Sequence, residues 1–385
     1  RTDNLLAVNS EVSDHLTVNL TYRAIVCLQN AAKKSVLPLL EKAYMHTFNR
    51  SVGSCSGLQI KKTRNSTTDF FQEGDHMSKQ NDEHWEYRLS LDHQTASESG
   101  PVVLGDGEFR FEISGTNWGV LPEGWFYQEA TAVAVNSKGQ VYVFNRGTHP
   151  VLVFDSEGNL DSHWGDDIFT NPHGITIGPN DELFCVDNGD STVRKLSPDG
   201  KVLMTLGTPH QPSPKMSGDP FSVPTHVAVD KRTGEFYVAD GYSNARIHKY
   251  TPEGQYLFSW GESGTGEGQF NIVHNIDTDS NGWIYVADRE NHRVQIFSPD
   301  GKYETQWGNL SRAAAIHVAS IQGRELVYVG EYFCGIGSND IGTDLGPRIS
   351  IFDTSGKLLG RAGRESYGSE PGRFYSPHGI AVDAN

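Results

Sequence analysis

The chain has 385 residues, 36% of them hydrophobic, and a formal net charge of −16 from 32 basic and 48 acidic side chains. Such an excess of acid excludes a general nucleic-acid or anionic-membrane surface, because phosphate binding requires a basic face. The chain is long enough to bury a large core, and no apolar run is long enough to span a bilayer.

Residues 1–105 carry no repeat. This segment is rich in Ser, Thr, Asn, Asp and Lys, with one helix-like patch at 31–43 (AAKKSVLPLLEKA) interrupted by Pro38. Position 1 is not Met, and Met77 stands ahead of a smooth lead-in to the repeating region. The expectation is therefore a poorly ordered N-terminal extension, with residues 1–76 foreign to the native domain. Cys27, Cys55, Cys185 and Cys334 show no CxxC spacing and require no disulfide framework. Sequons at Asn19, Asn49, Asn65 and Asn309, with no visible signal peptide, read as chance matches.

From residue 106 to 385 one grammar recurs: an apolar run, an Asp/Asn/Gly turn, a second apolar run closing on an acid or Asn, then a third. It reads TAVAVNSKGQVYVFNRG from Thr131, HGITIGPNDELFCVDNG from His173, THVAVDKRTGEFYVADG from Thr225, HNIDTDSNGWIYVADRE from His274 and IHVASIQGRELVYVGEY from Ile316. A sixth unit opens at His378 as HGIAVDAN. Period-two alternation of Val, Ile, Tyr and Phe, with Ser-Pro-Asp-Gly turns at 197–200 and 298–301, predicts short antiparallel strands. Four strands every ~40–50 residues are the signature of a β-propeller blade. The expected fold is an all-β, six-bladed propeller over 106–385 with an incomplete last blade. Trp164, Trp260, Trp307 and Leu206, each followed by Gly, are expected to plug the spaces between neighbouring blades. The stretch 109–119 (FRFEISGTNWG) resembles an outer strand, and an N-terminal strand completing the C-terminal blade would remove a free sheet edge. Ending at Asn385, the sequence is expected to be truncated by two strands.

His173, His274 and His378 each open the same strand of the repeat, in every second unit. The intervals, 173 to 274 and 274 to 378, are each close to two repeats, so in a closed ring the imidazoles converge on the axis from directions about 120° apart. Three histidine nitrogens are a common catalytic zinc set that leaves a position open. The matching positions in the other units are Thr131, Thr225 and Ile316, so histidine is not what the turn itself requires. After the second strand, where other units carry Asn188, Gly241 and Tyr332, the first and fourth carry Arg146 and Arg289; Tyr242 follows one position on in the third. Arginines there suit a carboxylate. A tyrosine beside a dication and two arginines is expected to be tuned toward use as a base. Arg289, in Asp-Arg-Glu-Asn, is also placed to pair with acids.

The runs Asn171-Pro-His173-Gly, Val238-Ala-Asp-Gly-Tyr242-Ser-Asn-Ala-Arg246, Val273-His274, Val286-Ala-Asp-Arg289-Glu-Asn and Ser376-Pro-His378 resemble the NHL-repeat peptidyl-α-hydroxyglycine α-amidating lyases over roughly 119–385. The resemblance implies zinc on His173, His274 and His378, Tyr242 as base, and Arg146 and Arg289 binding the substrate carboxylate and offsetting transition-state charge. It implies cleavage of a peptidyl-α-hydroxyglycine, or another N-acyl-α-hydroxyglycine, to a peptide amide and glyoxylate, with a separate hydroxylating monooxygenase as supplier and no redox cofactor. Structural calcium is implied on the carbonyls of Val133 and Ile175, but Gly379 replaces the expected acid. Ser376 replaces a pocket methionine. The family's disulfide positions are Ser222 with Ser243 and Tyr285 with Ile296, a paired loss that favours a reducing, cytoplasmic setting over a secreted one. Two other classes compete: a lactonase-like propeller hydrolase, disfavoured because the strand starts offer His rather than carboxylates, and a non-catalytic NHL-repeat interaction module.

Overall fold

The computed structural model describes residues 5–8, 23–28, 102–113, 118–334, 346–363, 371–374 and 376–383. The chain divides into one unit of residues 1–30 and 101–385 and another of 31–100. The second unit, with the helix-like patch and Met77, lies outside the described residues.

The first unit is a β-propeller arrangement. Five four-stranded antiparallel meanders, blades 1 to 5, span 130–164, 172–206, 226–260, 273–307 and 312–362. A 3-10 turn at Arg289–Asn291 is the only helix among the described residues. The Ser-Pro-Asp-Gly turns close as the sequence predicts: Gly200 N–H donates to Ser197 O at 2.9 Å and Gly301 N–H to Ser298 O at 2.8 Å. In both turns glycine takes a positive φ (87° and 77°), a backbone region costly for residues with a Cβ.

The core lies between blades. Second strands such as Val141–Asn145 and Leu183–Asp187 are buried on both faces, while fourth strands such as Val202–Leu206 are largely exposed. One apolar cluster joins Tyr142 and Phe144 of blade 1 to Ile175 and Leu183 of blade 2, and comparable clusters continue round the ring. The expected plugs are in place. Each packs on a turn glycine of the next blade: a Cβ would collide with Trp164 at Gly200, with Trp260 at Gly301 and with Trp307 at Gly356, while at Gly254 it would collide with Met204 and press tightly on Leu206.

Between blades 5 and 1 the inner position is taken by Pro377–Asp383. Its approach leaves no room for a Cβ at Gly330, 2.8 Å from Pro377 O, or at Gly379, 2.8 Å from Ala132 Cα. This strand pairs antiparallel with Arg23–Leu28, which runs parallel to Leu5–Val8. An N-terminal strand thus does meet the C-terminal one, but it comes from 23–28 and not from 109–119. Phe111–Glu112 pairs instead with Val103–Leu104. Trp118 nevertheless packs on Gly158 of blade 1 as the other plugs do on theirs.

One repeat alignment shifts. The register of blade 5 slips between Ala313 and Ala315, so the counterpart of the histidine position is Ala314 and not Ile316. The inner strand, Arg312–Ile321, has ten residues where most have four to six, and sequence spacing alone placed its histidine-equivalent position two residues late.

Candidate metal centre

His173 and His274 sit in inner strands where the register shifts: Pro172 pairs with Asp187 but Gly174 with Val186, and Val273 with Asp288 but Asn275 with Ala287. Such a bulge re-aims one side chain out of the sheet's alternation, here toward the axis. His378 occupies the corresponding place in Pro377–Asp383. The three rings meet with centroids 4.7 to 5.1 Å apart, and each residue is at most 2% exposed.

Their orientation is set by the backbone of the next blade. The Nδ1 atoms contact Thr225 O at 2.7 Å, Ala314 O at 2.6 Å and Thr131 O at 2.5 Å, for His173, His274 and His378 respectively. A carbonyl only accepts, so each Nδ1 carries the proton and each Nε2 presents a lone pair to the centre. Burial above all, then neighbouring positive charge, holds the imidazoles neutral: His173 and His274 titrate well below the ordinary histidine range, and His378 is pushed down to about 3, with Arg146 adding to burial.

The protein does not satisfy all three of these lone pairs. Tyr242 Oη lies 3.0 Å from Nε2 of both His173 and His274, yet one hydroxyl proton serves only one of them. His378 Nε2 is buried without a hydrogen-bond partner. Unpaired buried acceptors are costly, and three convergent imidazoles of fixed tautomer fit a zinc-type cation. The donor atoms all lie within 4.8 Å of one another.

Tyr242 reaches the trio because Gly241 lets the blade 3 loop press onto the strand bearing His274: a Cβ at 241 would fall 1.8 Å from Val273 O. Arg289 Nη1 lies 3.5 Å from Tyr242 Oη, and its guanidinium sits over the Tyr242 and Tyr332 rings. Its Nε donates to Glu290 at 2.8 Å, and Glu290 also takes Arg312, so the expected acid pairing and the expected approach to the site coexist. Arg146 donates from Nε to Pro172 O at 3.0 Å and from Nη1 to Glu129 at 2.6 Å, and its charge is felt by His173 and His378. Tyr332 closes the wall, its buried hydroxyl lacking a partner. Every residue expected at this end of the axis is therefore here. Glu129, Glu290 and Arg312 were not singled out from the sequence, although Glu290 stands directly beside Arg289 in Asp-Arg-Glu-Asn.

Val133 and Ile175 lie elsewhere, on inner strands lining a cavity of about 380 Å³ with Gly379, His226, Asn275 and Asp277. Position 379 is closed to any side chain by Ala132, so a carboxylate for a cation there must come from Asp181 or Asp277, which also line the cavity. Tyr285 and Ile296 stand directly opposite each other on adjacent strands of blade 4. Cys185 is a free, buried thiol, and Cys334 is buried as well.

The NHL repeat family model matches residues 270–297, which take in His274 and the first three strands of blade 4. The chain is 39% identical over 150 residues to peptidyl-α-hydroxyglycine α-amidating lyase 1 of Drosophila melanogaster, covering 36% of this chain and 27% of that protein. It is 34% identical over 191 residues to human NHL repeat-containing protein 3, covering 46% and 54%. It is 32% identical over 198 residues to peptidyl-glycine α-amidating monooxygenase B of Xenopus laevis, covering 43% of this chain and 22% of that protein. The match thus spans about a fifth of the amidating monooxygenase. A chain in the crystal structure of a nidogen/laminin complex aligns with a TM-score of 0.50 at 13% identity, over 74% of this chain and 99% of that one, a likeness of fold alone. The chain is related to the amidating lyases and to NHL-repeat proteins.

Proposed function

We propose that this NHL-repeat chain is a zinc-dependent carbon–nitrogen lyase acting on peptidyl-α-hydroxyglycine or a similar N-acyl hemiaminal, on a six-bladed propeller whose last blade starts at Pro377. The observation that carries the reading is the trio of buried imidazoles, each with its Nδ1–H donated to a carbonyl and its Nε2 turned to one point. His173, His274 and His378 would hold the metal, which when bound supplies Lewis acidity toward the substrate's oxygen.

The rest falls to the chain's own side chains. The substrate bears a hydroxyl and an amide nitrogen on one carbon. Tyr242, beside two of the imidazoles and Arg289, is placed to take the hydroxyl proton. The oxygen's electron pair becomes the aldehyde C=O of glyoxylate as the C–N bond breaks, and the proton goes to the departing amide nitrogen, completing the peptide amide. Arg146 and Arg289 each have one edge tied to a carboxylate, which holds the guanidinium in position; together they suit the substrate's carboxylate and the charge that grows during cleavage. The chemistry calls for a monooxygenase that hydroxylates a glycine-extended peptide upstream. Calcium on Val133 and Ile175 is a second metal that this reading allows, with its carboxylate drawn from the cavity wall.

The test is glyoxylate release from a small N-acyl-α-hydroxyglycine before and after chelation and zinc re-addition. Release that is lost on chelation and restored by zinc is the expected result. No release from the zinc-loaded chain would favour the second reading, a non-catalytic NHL-repeat module.

A further inference from the structure

Blade 1 gathers a second set of metal-binding side chains, off the axis. His149 lies in the loop between the second and third strands, His163 in the fourth strand Leu160–Trp164, and Asp166 just beyond it. Their ligand atoms also lie within 4.8 Å of one another. Asp166 faces both rings, 3.1 Å from His149 Nδ1 and 3.9 Å from His163 Nδ1. The sequence does not advertise them, because they occupy no repeat position; only the return of the fourth strand beside that loop brings them together.

We infer that His149, His163 and Asp166 form a second site, for a first-row divalent transition-metal ion such as zinc or copper(II). Two imidazoles and one carboxylate suit such ions, whereas magnesium and calcium prefer all-oxygen sets. Metal–ligand bonds near 2.0–2.2 Å require the donors to draw together by about 1 Å, and these side chains are free enough to do so: His163 and Asp166 are 40% and 44% exposed.

The surroundings hold the group in place. The Trp125 ring stacks on His149 at 3.7 Å and meets the edge of His163 at 4.7 Å, and the two imidazoles are themselves 4.5 Å apart. Asn145 pins the loop, its N–H donating to Pro150 O at 2.8 Å and its Oδ1 accepting from Gln128 N–H at 3.1 Å. Gly165, at φ 97° with Phe169 packed against it, turns the chain so that Asp166 comes back beside His163. The aromatic wall limits the rotation of both rings, which lowers the ordering cost of binding.

Equilibrium dialysis of zinc against the chelator-stripped full chain tests the proposal. Two ions per native chain are expected, one in His149→Ala/His163→Ala and one in His274→Ala. A rim double variant that binds as many ions as the native chain, with unchanged affinity, overturns the proposal. If the rim variant loses an ion and His274→Ala does not, the rim site stands and the axial reading fails. A single native ion lost only in His274→Ala overturns the rim site alone. Copper(II) gives a second readout in the isosteric variant Asp166→Asn. Quenching of Trp125, taken as the difference between the native chain and Trp125→Phe, should shift to higher copper concentration; quenching that does not move sinks the proposal.

Discussion

His173, His274 and His378 on the axis are at most 2% exposed and come from strands about a hundred residues apart, whereas His149, His163 and Asp166 on the rim lie within 18 residues and are 21%, 40% and 44% exposed in their side chains. On the axis a backbone carbonyl of the next blade fixes every tautomer; on the rim the imidazoles are positioned by stacking and a shared carboxylate. A buried polar group must be oriented by the fold, because water is not there to satisfy it. The axial trio is therefore oriented by contacts between blades, while the rim group is gathered by blade 1 and the segments flanking it.

The largest way to break this contrast is His274→Ala. It should abolish glyoxylate release and remove one bound zinc, whereas His163→Ala should remove one zinc and leave release unchanged. Equal effects of the two variants on turnover would show that the sites are not independent. Next in size, Tyr242→Phe should lower kcat by about 10²- to 10⁴-fold, the usual worth of a positioned general base, with zinc still bound. Loss of zinc from this variant would make Tyr242 a structural part of the centre. Arg289→Lys keeps the charge but loses the planar fork. At about 2 kcal/mol for a charged hydrogen bond, KM should rise roughly 30-fold, measured by steady-state kinetics.

The smallest effect concerns pH, at the cavity lined by the same inner strands. His226 is pushed down to about 4, chiefly by burial. Between its unfolded pKa near 6.5 and about 4, the unfolded chain binds the extra proton more readily, so this residue's contribution is present above about 6.5 and lost as pH falls through that window. Denaturant melts should show the native chain losing more stability from pH 7 to pH 4 than His226→Gln; parallel curves would refute the assignment.

Much of the axial centre was legible because repeat position carries geometry. His173 and His274 stand at equivalent bulges, and Arg146 and Arg289 both come directly after the last residue of a second strand, so a correct repeat period was enough to bring them together. The same logic misplaced one position: a bulge at Ala314 and a longer strand moved the counterpart two residues from Ile316. Pairing of Arg23–Leu28 with Pro377–Asp383 was not legible, since a strand added from a distant segment leaves no periodic mark on the sequence between.

The sequence by itself determined the β class, the blade grammar, the Trp–Gly plugs and the alternation of histidine between units, all of which are local patterns of period two or of one repeat. Only the tertiary structure decided which nitrogen of each imidazole faces the axis, that Tyr242 spans two of them, and that Glu129 and Glu290 tether the arginines. It also decided that a tryptophan wall gathers a second histidine pair on blade 1. These depend on contacts between blades or across a blade's returning strand, where the partner is a backbone carbonyl or a side chain whose nearness no one-dimensional pattern encodes.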